Sequence, residues 1–156
     1  MKLRLIVIGK DKNDPLCTVA DGYLERLSHS FPCTLVELKE EPARASMPVD
    51  RVRALEAERI KKALLPGERV IALDERGKEQ TSVELSKRLG TWAQEGRSAV
   101  ALIIGGPNGL DPVLVASADE RWALSKLTLP HRLARVLIAE QLYRAATILR
   151  GEPYHK

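Results

Sequence analysis

Glycines follow the most apolar stretch of this sequence and could hold a ligand through the peptide backbone. The stretch runs from Ser98 to Ile104 and leads into Gly105-Gly106-Pro107-Asn108-Gly109. Since glycine carries no Cβ, main chain at such a loop can approach a ligand closely. The spacing differs from the G-x-G-x-x-G dinucleotide fingerprint, and the sequence has no G-x-x-x-x-G-K-[ST] loop for ATP phosphates. The alternative is a plain tight turn between a strand and a helix.

A second candidate for ligand binding is the segment Leu124-Ser125-Lys126-Leu127-Thr128-Leu129, in which leucines alternate with small polar residues and one lysine. It leads through Pro130-His131 into a long predicted helix with Arg132 and Arg135 in its first two turns. Positive charges at the start of a helix oppose the helix dipole. Their presence favours a nearby anion or partner chain, and a solvated turn is the alternative.

The C-terminal tail combines three chemical functions in three residues. Tyr154 carries an aromatic ring, His155 carries an imidazole that can exchange a proton, and Lys156 is a cation. Gly151 and Pro153 end the preceding helix, so the tail can leave the body of the molecule. Such a tail could stack on a nucleobase and move a proton. The alternative is a frayed chain end.

Positive charge is concentrated at the same end of the chain. The formal net charge is +4, yet residues 1–120 contain 18 Lys and Arg against 19 Asp and Glu. Residues 121–156 contain seven against two. A basic segment suits a polyanion such as RNA, because neutralising phosphates releases counterions. A solvated basic face without a partner is the alternative.

Length and composition exclude several classes of protein. The chain has 156 residues, of which 44% are hydrophobic and 29% are charged. This composition predicts one folded domain, 1–156, and excludes a disordered chain or a small domain held together by disulfides. The two cysteines and three histidines lack metal-ligand spacing, so we predict no metal site. We expect a cytoplasmic protein without a membrane span, since no apolar stretch approaches the roughly 20 residues that a span needs.

Two alternating periodicities predict the elements that position these residues. Predicted helices begin near Pro15, Val49, Thr81, Pro112 and His131. Between them lie five predicted strands, at 3–8, 33–38, 69–73, 98–104 and 121–124. The alternation predicts an α/β fold with a mainly parallel sheet and helices on both faces. Ligands bind beyond the carboxyl ends of such strands, here after Leu73, Ile104 and Leu124.

Several motifs in a fixed order resemble one bacterial family. They are Val70–Asp74, Ile103–Gly109, Leu124–His131, Arg135–Ala145 and Pro153–His155. The family is the small knotted methyltransferases of the SPOUT class, which methylate N3 of a pseudouridine in 23S ribosomal RNA. The resemblance covers essentially the whole chain.

The resemblance implies a cofactor, a substrate and a topology. It implies a C-terminal trefoil knot at about 98–156, S-adenosylmethionine as methyl donor, and 23S ribosomal RNA as substrate. We expect the RNA to be modified on the assembled ribosome, with free RNA and the subunit as the alternatives. The donor would lie against Leu73, Gly105 and the segment Leu124 to Leu129, Lys126 included. A ribosome-associated module that binds RNA without chemistry is the alternative, and the intact glycine loop favours the enzyme.

Side-chain chemistry suggests roles for the tail on the substrate that the resemblance implies. Tyr154 would stack on the target base, and the imidazole of His155 could take the proton from N3. Predicted RNA contacts are Arg132, Arg144, Arg150 and Lys156. Two positions depart from the family pattern: Arg132 stands where proline is frequent, and Lys156 stands where arginine is common. Lysine keeps the charge but lacks the planar fork that binds a phosphate bidentately.

The last predicted helix also bears on assembly. It is apolar on two sides, which exceeds the single stripe of a surface helix. We predict a homodimer through this helix, with Leu142 and Leu149 at the interface and one tail completing the partner's site. Deep burial within one protomer is the alternative.

Overall fold

A parallel sheet organises the molecule. The computed structural model describes residues 1–10, 13–42 and 44–156. Within these residues, five strands pair in the order β2-β1-β4-β3-β5, and every pairing between them is parallel. The strands are β1 (Lys2–Ile8), β2 (Cys33–Leu38), β3 (Arg69–Glu79), β4 (Ala99–Ile104) and β5 (Glu120–Ala123). The predicted α/β fold with a parallel sheet is confirmed.

The helices begin where the sequence provides capping groups. They are α1 (Pro15–Ser28), α2 (Val49–Ala63), α3 (Ser82–Gln94), α4 (Pro112–Ser117) and α5 (His131–Leu149). Asp14 and Asp111 cap α1 and α4 through their carboxylates, each followed by a proline in the first turn. Thr81 and Glu84 form a reciprocal capping box at the start of α3. Among the described residues, no helix is long and apolar enough to span a membrane.

Two hydrophobic layers cover the sheet. Residues of α1, α3 and α5 pack with one face of the strands, and residues of α2 and α4 pack with the other. Helix α5 lies between α1 and α3: Tyr143 contacts Tyr23, and Gln141 accepts a hydrogen bond from Ser82. This layering leaves the carboxyl edge of the sheet open between the connecting loops.

Strand β3 continues beyond its predicted end at residue 73. The register of its pairing with β5 shifts between Leu73 and Lys78, and the strand then runs on to Glu79. Polar residues in the bulge interrupt the apolar pattern, which is why the sequence signal stops early. Gly77 permits the close crossing, because a Cβ there would lie 2.4 Å from the carbonyl carbon of Trp122.

A buried ion pair links β1 to the turn between α2 and β3. One nitrogen of Arg4, Nη1, donates to both carboxylate oxygens of Glu68, at 2.6 and 2.8 Å. The other, Nη2, donates to the carbonyl of Ala63, and Glu68 also accepts from the amide of Leu65. Because every partner is satisfied, two charges can remain inside the protein.

Candidate functional site

A cavity of about 780 Å³ opens at the carboxyl edge of the sheet. Leu73 from β3, Gly105 after β4 and Leu124 after β5 contribute to its wall, as expected from the strand ends. The first turn of α5 closes it through His131 and Ala134. The volume falls in the range of small-molecule sites, about 300–1,000 Å³.

The glycine loop closes on itself at the floor of this cavity. The amide of Gly109 donates to the carbonyl of Gly106 at 2.9 Å, and Gly109 has a φ of +78°. A Cβ on Gly105 would lie 2.5 Å from the carbonyl carbon of Gly109 and 2.7 Å from the nitrogen of Leu110. The backbone of the loop itself therefore requires glycine at position 105.

Side chains of helix α2 contact this loop and hold it in place. Nε of Arg53 donates to the carbonyl of Asn108 at 2.7 Å. A Cβ on Gly106 would lie 3.2 Å from Oε2 of Glu56. Glu56 is buried, with only 3% of its surface exposed. The other oxygen of Glu56 accepts from the amide of Glu41, and burial raises the pKa of this carboxyl above its usual range. Neither supporting role is indicated by a pattern in the sequence.

Seven of the eight residues that the resemblance assigns to the donor line the cavity. They are Leu73, Gly105, Leu124, Ser125, Leu127, Thr128 and Leu129. Local hydrogen bonds shape the segment: Ser125 Oγ accepts from the amide of Leu127, and the hydroxyl of Thr128 donates to Glu75. The eighth, Lys126, lies outside the lining, and its ammonium is 3.9 Å from the carboxylate of Glu79.

His131 is a candidate site residue to which the sequence assigned no role. Its ring lines the cavity, and its Nε2 is buried without a hydrogen-bond partner among the described residues. Burial lowers the pKa of this imidazole below its ordinary value. Its place in Leu124–His131, directly after the segment assigned to the donor, was the available signal.

The tail lies at the far end of α5 from the cavity. The helix has 19 residues, so its ends are roughly 28 Å apart at the usual rise. The ring of Tyr154 packs edge-on against Tyr143 at 4.9 Å, and its hydroxyl donates to Glu140. Burial and a hydrogen bond with Tyr23 raise the pKa of Tyr154 to about 12. Within one protomer, the tail and the cavity are therefore separated.

The basic residues near the C-terminus form ion pairs. Arg132 pairs with Asp14, Arg144 with Glu140, and Arg150 with Glu152, each at 2.6 Å. Arg135 is buried and contacts both Glu37 and Asp21. Lys156 is exposed. Carboxylates, several from early in the chain, thus compensate much of the basic excess, and the RNA contacts stay a prediction.

The faces of α5 differ from the expected pattern at one position. Leu142 is fully buried in the protomer core, so its expected place at an interface is wrong. Leu133 and Leu149 are 40% and 43% exposed. Leu16 and Val19, on the neighbouring α1, are also exposed.

Within the part of the chain that the structure describes, no group of three or more His, Cys, Asp or Glu side chains is arranged to hold a metal ion.

Comparison with known proteins gives concordant results. The family model described as "Predicted SPOUT methyltransferase" matches residues 1–155. The chain is 47% identical over 156 residues to ribosomal RNA large subunit methyltransferase H of Anaeromyxobacter sp. (strain Fw109-5), covering both chains completely. It is 45% identical to the protein of that name from Paraburkholderia xenovorans (strain LB400), over all of this chain and 99% of the relative.

A solved structure shares the fold. The crystal structure of a probable methyltransferase from Bordetella pertussis Tohama I superposes with a TM-score of 0.56 at 17% identity. The match covers 93% of this chain and 96% of that one. At this identity, the likeness concerns the fold alone.

Proposed function

Because the chain belongs to the SPOUT methyltransferase family, we propose that it transfers a methyl group from S-adenosylmethionine to N3 of a pseudouridine in 23S ribosomal RNA. The names of the curated relatives support ribosomal RNA as the substrate class. The observation that carries the proposal is the cavity at the sheet edge, lined by seven of the eight residues assigned to the donor. The proposal includes a cytoplasmic location, the assembled ribosome as substrate, and no metal requirement.

The cavity fits such a donor in size and chemistry. Leucine side chains supply apolar walls for an adenine ring, and the main chain at Gly105 and Gly106 supplies polar groups without a side chain in the way. S-adenosylmethionine, when bound, supplies an electrophilic methyl group on a sulfonium. Leu73, Gly105, Leu124, Ser125 and the leucines at 127 and 129 would hold it, with Thr128, while Lys126 would remain outside.

The topology is part of the proposal. The family implies a trefoil knot at about 98–156 within one domain, 1–156. The close passage of Trp122 against Gly77 supports a compact threading of the chain beside the cavity.

The residues around the cavity act mainly by positioning. Methyl transfer from a sulfonium is an in-line displacement, so catalysis depends on alignment of the nucleophile with the methyl group. With the donor bound, the half-buried leucines at 124 and 129 would help to exclude water from the reacting atoms. The N3 imide must also lose its proton before or during attack, which calls for a base or a stabilising cation.

A second copy would bring the tail to the cavity. Tyr154 and His155 lie about 28 Å along α5 from the cavity of their own protomer. The exposed Leu133 on α5 and Leu16 and Val19 on α1 supply apolar surface for a homodimer contact. In that dimer, the partner's tail would cover the target base, with Tyr154 stacked on it and His155 hydrogen-bonded to it. Arg144, Arg150, Arg132 and Lys156 would contact nearby phosphates.

The test is transfer of a tritiated methyl group from S-adenosylmethionine to ribosomes of a strain lacking the modification. We expect the wild-type protein to label 23S ribosomal RNA and deletion of residues 152–156 to lower labelling by orders of magnitude. Cofactor titration on the same truncated protein should be nearly unchanged, since no core residue is lost. Lys62→Ala, on the exposed end of α2, controls for general loss of positive charge.

Two results would contradict the proposal. Absence of labelling by the wild-type protein on free RNA, subunits and ribosomes would remove the activity and favour an RNA-binding module. Near-normal labelling by the truncated protein would show that the tail is a frayed end.

A further inference from the structure

The ring of His131 separates the cavity from a small recess under β1. The recess is lined by Gly9, Cys17, Arg132 and Arg135, and His131 belongs to both linings. Its Nε2 is buried without a hydrogen-bond partner among the described residues. An unpaired buried ring nitrogen beside a ligand cavity calls for an explanation, because burial without a partner costs free energy.

A carboxylate lies close to the same point. A Cβ on Gly9 would lie 3.5 Å from Nε2 of His131 and 3.7 Å from Oε2 of Glu40. Gly9 has a φ of +109° and places no side chain between the imidazole and the carboxylate. The two groups form no hydrogen bond in this structure, but Glu40 is the carboxylate on this side of the ring, and a carboxylate hydrogen-bonded to one ring nitrogen fixes the tautomer of a histidine base.

The surroundings keep this imidazole neutral near pH 7. Burial has the largest effect and lowers its pKa; Arg132 lowers it further. Glu40 and Asp14 act in the opposite direction and favour the protonated form. Arg135 also lines the recess, but it is held by Glu37 and Asp21. The histidine is therefore available as an acceptor that Glu40 can stabilise once it is charged.

We propose that His131 is the base that takes the N3 proton of the target pseudouridine, with Glu40 as its positioning residue. This inference rests on the proposed function. The N3–H bond breaks and its proton bonds to Nδ1 of His131, while Nε2–H points toward Glu40. The electron pair of N3 forms the new bond to the methyl carbon, and the bond from that carbon to the sulfonium sulfur breaks. The products are the methylated base, a neutral thioether and an imidazolium beside Glu40.

This assignment places the base inside each protomer's own cavity. His155 lies at the opposite end of α5 and reaches a cavity only through a partner. The two histidines are therefore rival candidates that variants can separate.

The experiment is single-turnover methyl transfer to unmodified ribosomes across pH 5 to 9. For the wild-type protein, we expect the rate to rise with pH through the pKa of His131 and then level off. His131→Gln should lower the plateau rate by about 100-fold or more and remove that rise. Calorimetry with S-adenosylmethionine should give an affinity within about threefold of wild type. His29→Gln, on an exposed residue after α1, is the matched control and should behave as wild type.

Two further variants test the positioning role and the identity of the base. Glu40→Gln removes the charge that favours the imidazolium, so the rise should move to lower pH with a smaller loss of rate. His131→Gly should recover part of its activity when imidazole is added, which a purely structural role would not produce. If His131→Gln does not fold, as judged by circular dichroism, the shift in Glu40→Gln decides.

Three results would overturn the inference. The first is His131→Gln within threefold of wild type with its pH dependence intact. The second is loss of the pH-dependent rise in His155→Gln but not in His131→Gln. The third is an unmoved rise in Glu40→Gln. Inactive wild-type protein would instead overturn the proposed function and this inference with it, so the two failures are distinguishable.

Discussion

Substitution of Gly105 by alanine tests whether the glycine loop holds the methyl donor. The new Cβ would lie 2.5 Å from the carbonyl carbon of Gly109 and 2.7 Å from the nitrogen of Leu110. Both neighbours are backbone, so no side chain can rotate away. The loop must move by about 0.9 Å to bring the nearest pair to ordinary contact, about 3.4 Å.

The size of the effect follows from what that movement breaks. Overpacking of this kind costs about 1–3 kcal/mol. The hydrogen bond from Gly109 to Gly106 and the contact of Arg53 with Asn108 both depend on the present loop position. Since 1.4 kcal/mol is a tenfold change in an equilibrium constant, we expect S-adenosylmethionine to bind about 10- to 100-fold more weakly. The melting temperature should fall by several degrees.

The assay is isothermal titration of S-adenosylmethionine into wild type, Gly105→Ala and Gly22→Ala. Gly22 lies inside α1 and has nothing within 4 Å of an added Cβ. Alanine is favoured over glycine in a helix by about 1 kcal/mol, so this control should gain stability and keep its affinity. Unchanged affinity in Gly105→Ala, with a lowered melting temperature, would refute the loop as part of the donor site. Unchanged affinity and stability together would refute the loop geometry itself.

Three further substitutions test packing, electrostatics and assembly. Glu68→Ala leaves Arg4 buried without its partner. In urea titrations, the free energy of unfolding should fall by about 3–5 kcal/mol. A loss below about 1 kcal/mol would contradict the burial of this ion pair. Burial raises the pKa of Glu56, so the wild type loses stability as the pH rises through that pKa. Glu56→Gln should therefore be more stable than the wild type at pH 8 in urea titrations, and this advantage should vanish toward pH 4. A difference independent of pH would contradict this account. Leu133→Asp should be monomeric in sedimentation velocity. The control Leu65→Asp, at an exposed residue after α2, should remain dimeric. A dimeric Leu133→Asp variant would show that the interface does not include Leu133.

Local pattern was sufficient for the elements but not for their irregularities. Runs such as Ala99–Ile104 are apolar throughout because both faces of a central parallel strand are covered, and the sequence shows this directly. The extension of β3 beyond Leu73 could not be predicted, because a polar bulge with a register shift carries no apolar periodicity.

Long-range pairing limited what could be predicted of the site. The resemblance assigned eight residues to the donor, and seven of them line the cavity, whereas Lys126 lies outside the lining. Basic residues near the C-terminus looked unpaired in sequence. Asp14 and Asp21, the partners of Arg132 and Arg135, are more than 100 residues earlier, and no spacing rule connects them. A role for His131 could not be predicted from sequence, because the burial of its Nε2 without a hydrogen-bond partner exists only in the folded chain.

The position of α5 between α1 and α3 has a consequence for biosynthesis. Arg132 and Arg135 reach partners 118 and 114 residues upstream, so the contacts that complete this layer close the longest loops in the chain. Until α5 has been synthesised, its neighbours in the core are not fully buried, among them Leu24, Leu27 and Leu89. Nascent chains can aggregate through such exposed apolar side chains. Closing such distant contacts is entropically costly and slow. The layer of α1, α3 and α5 can therefore form only after α5 has been synthesised, and we expect the yield in the cell to depend on chaperones that shield the apolar faces of α1 and α3 until then.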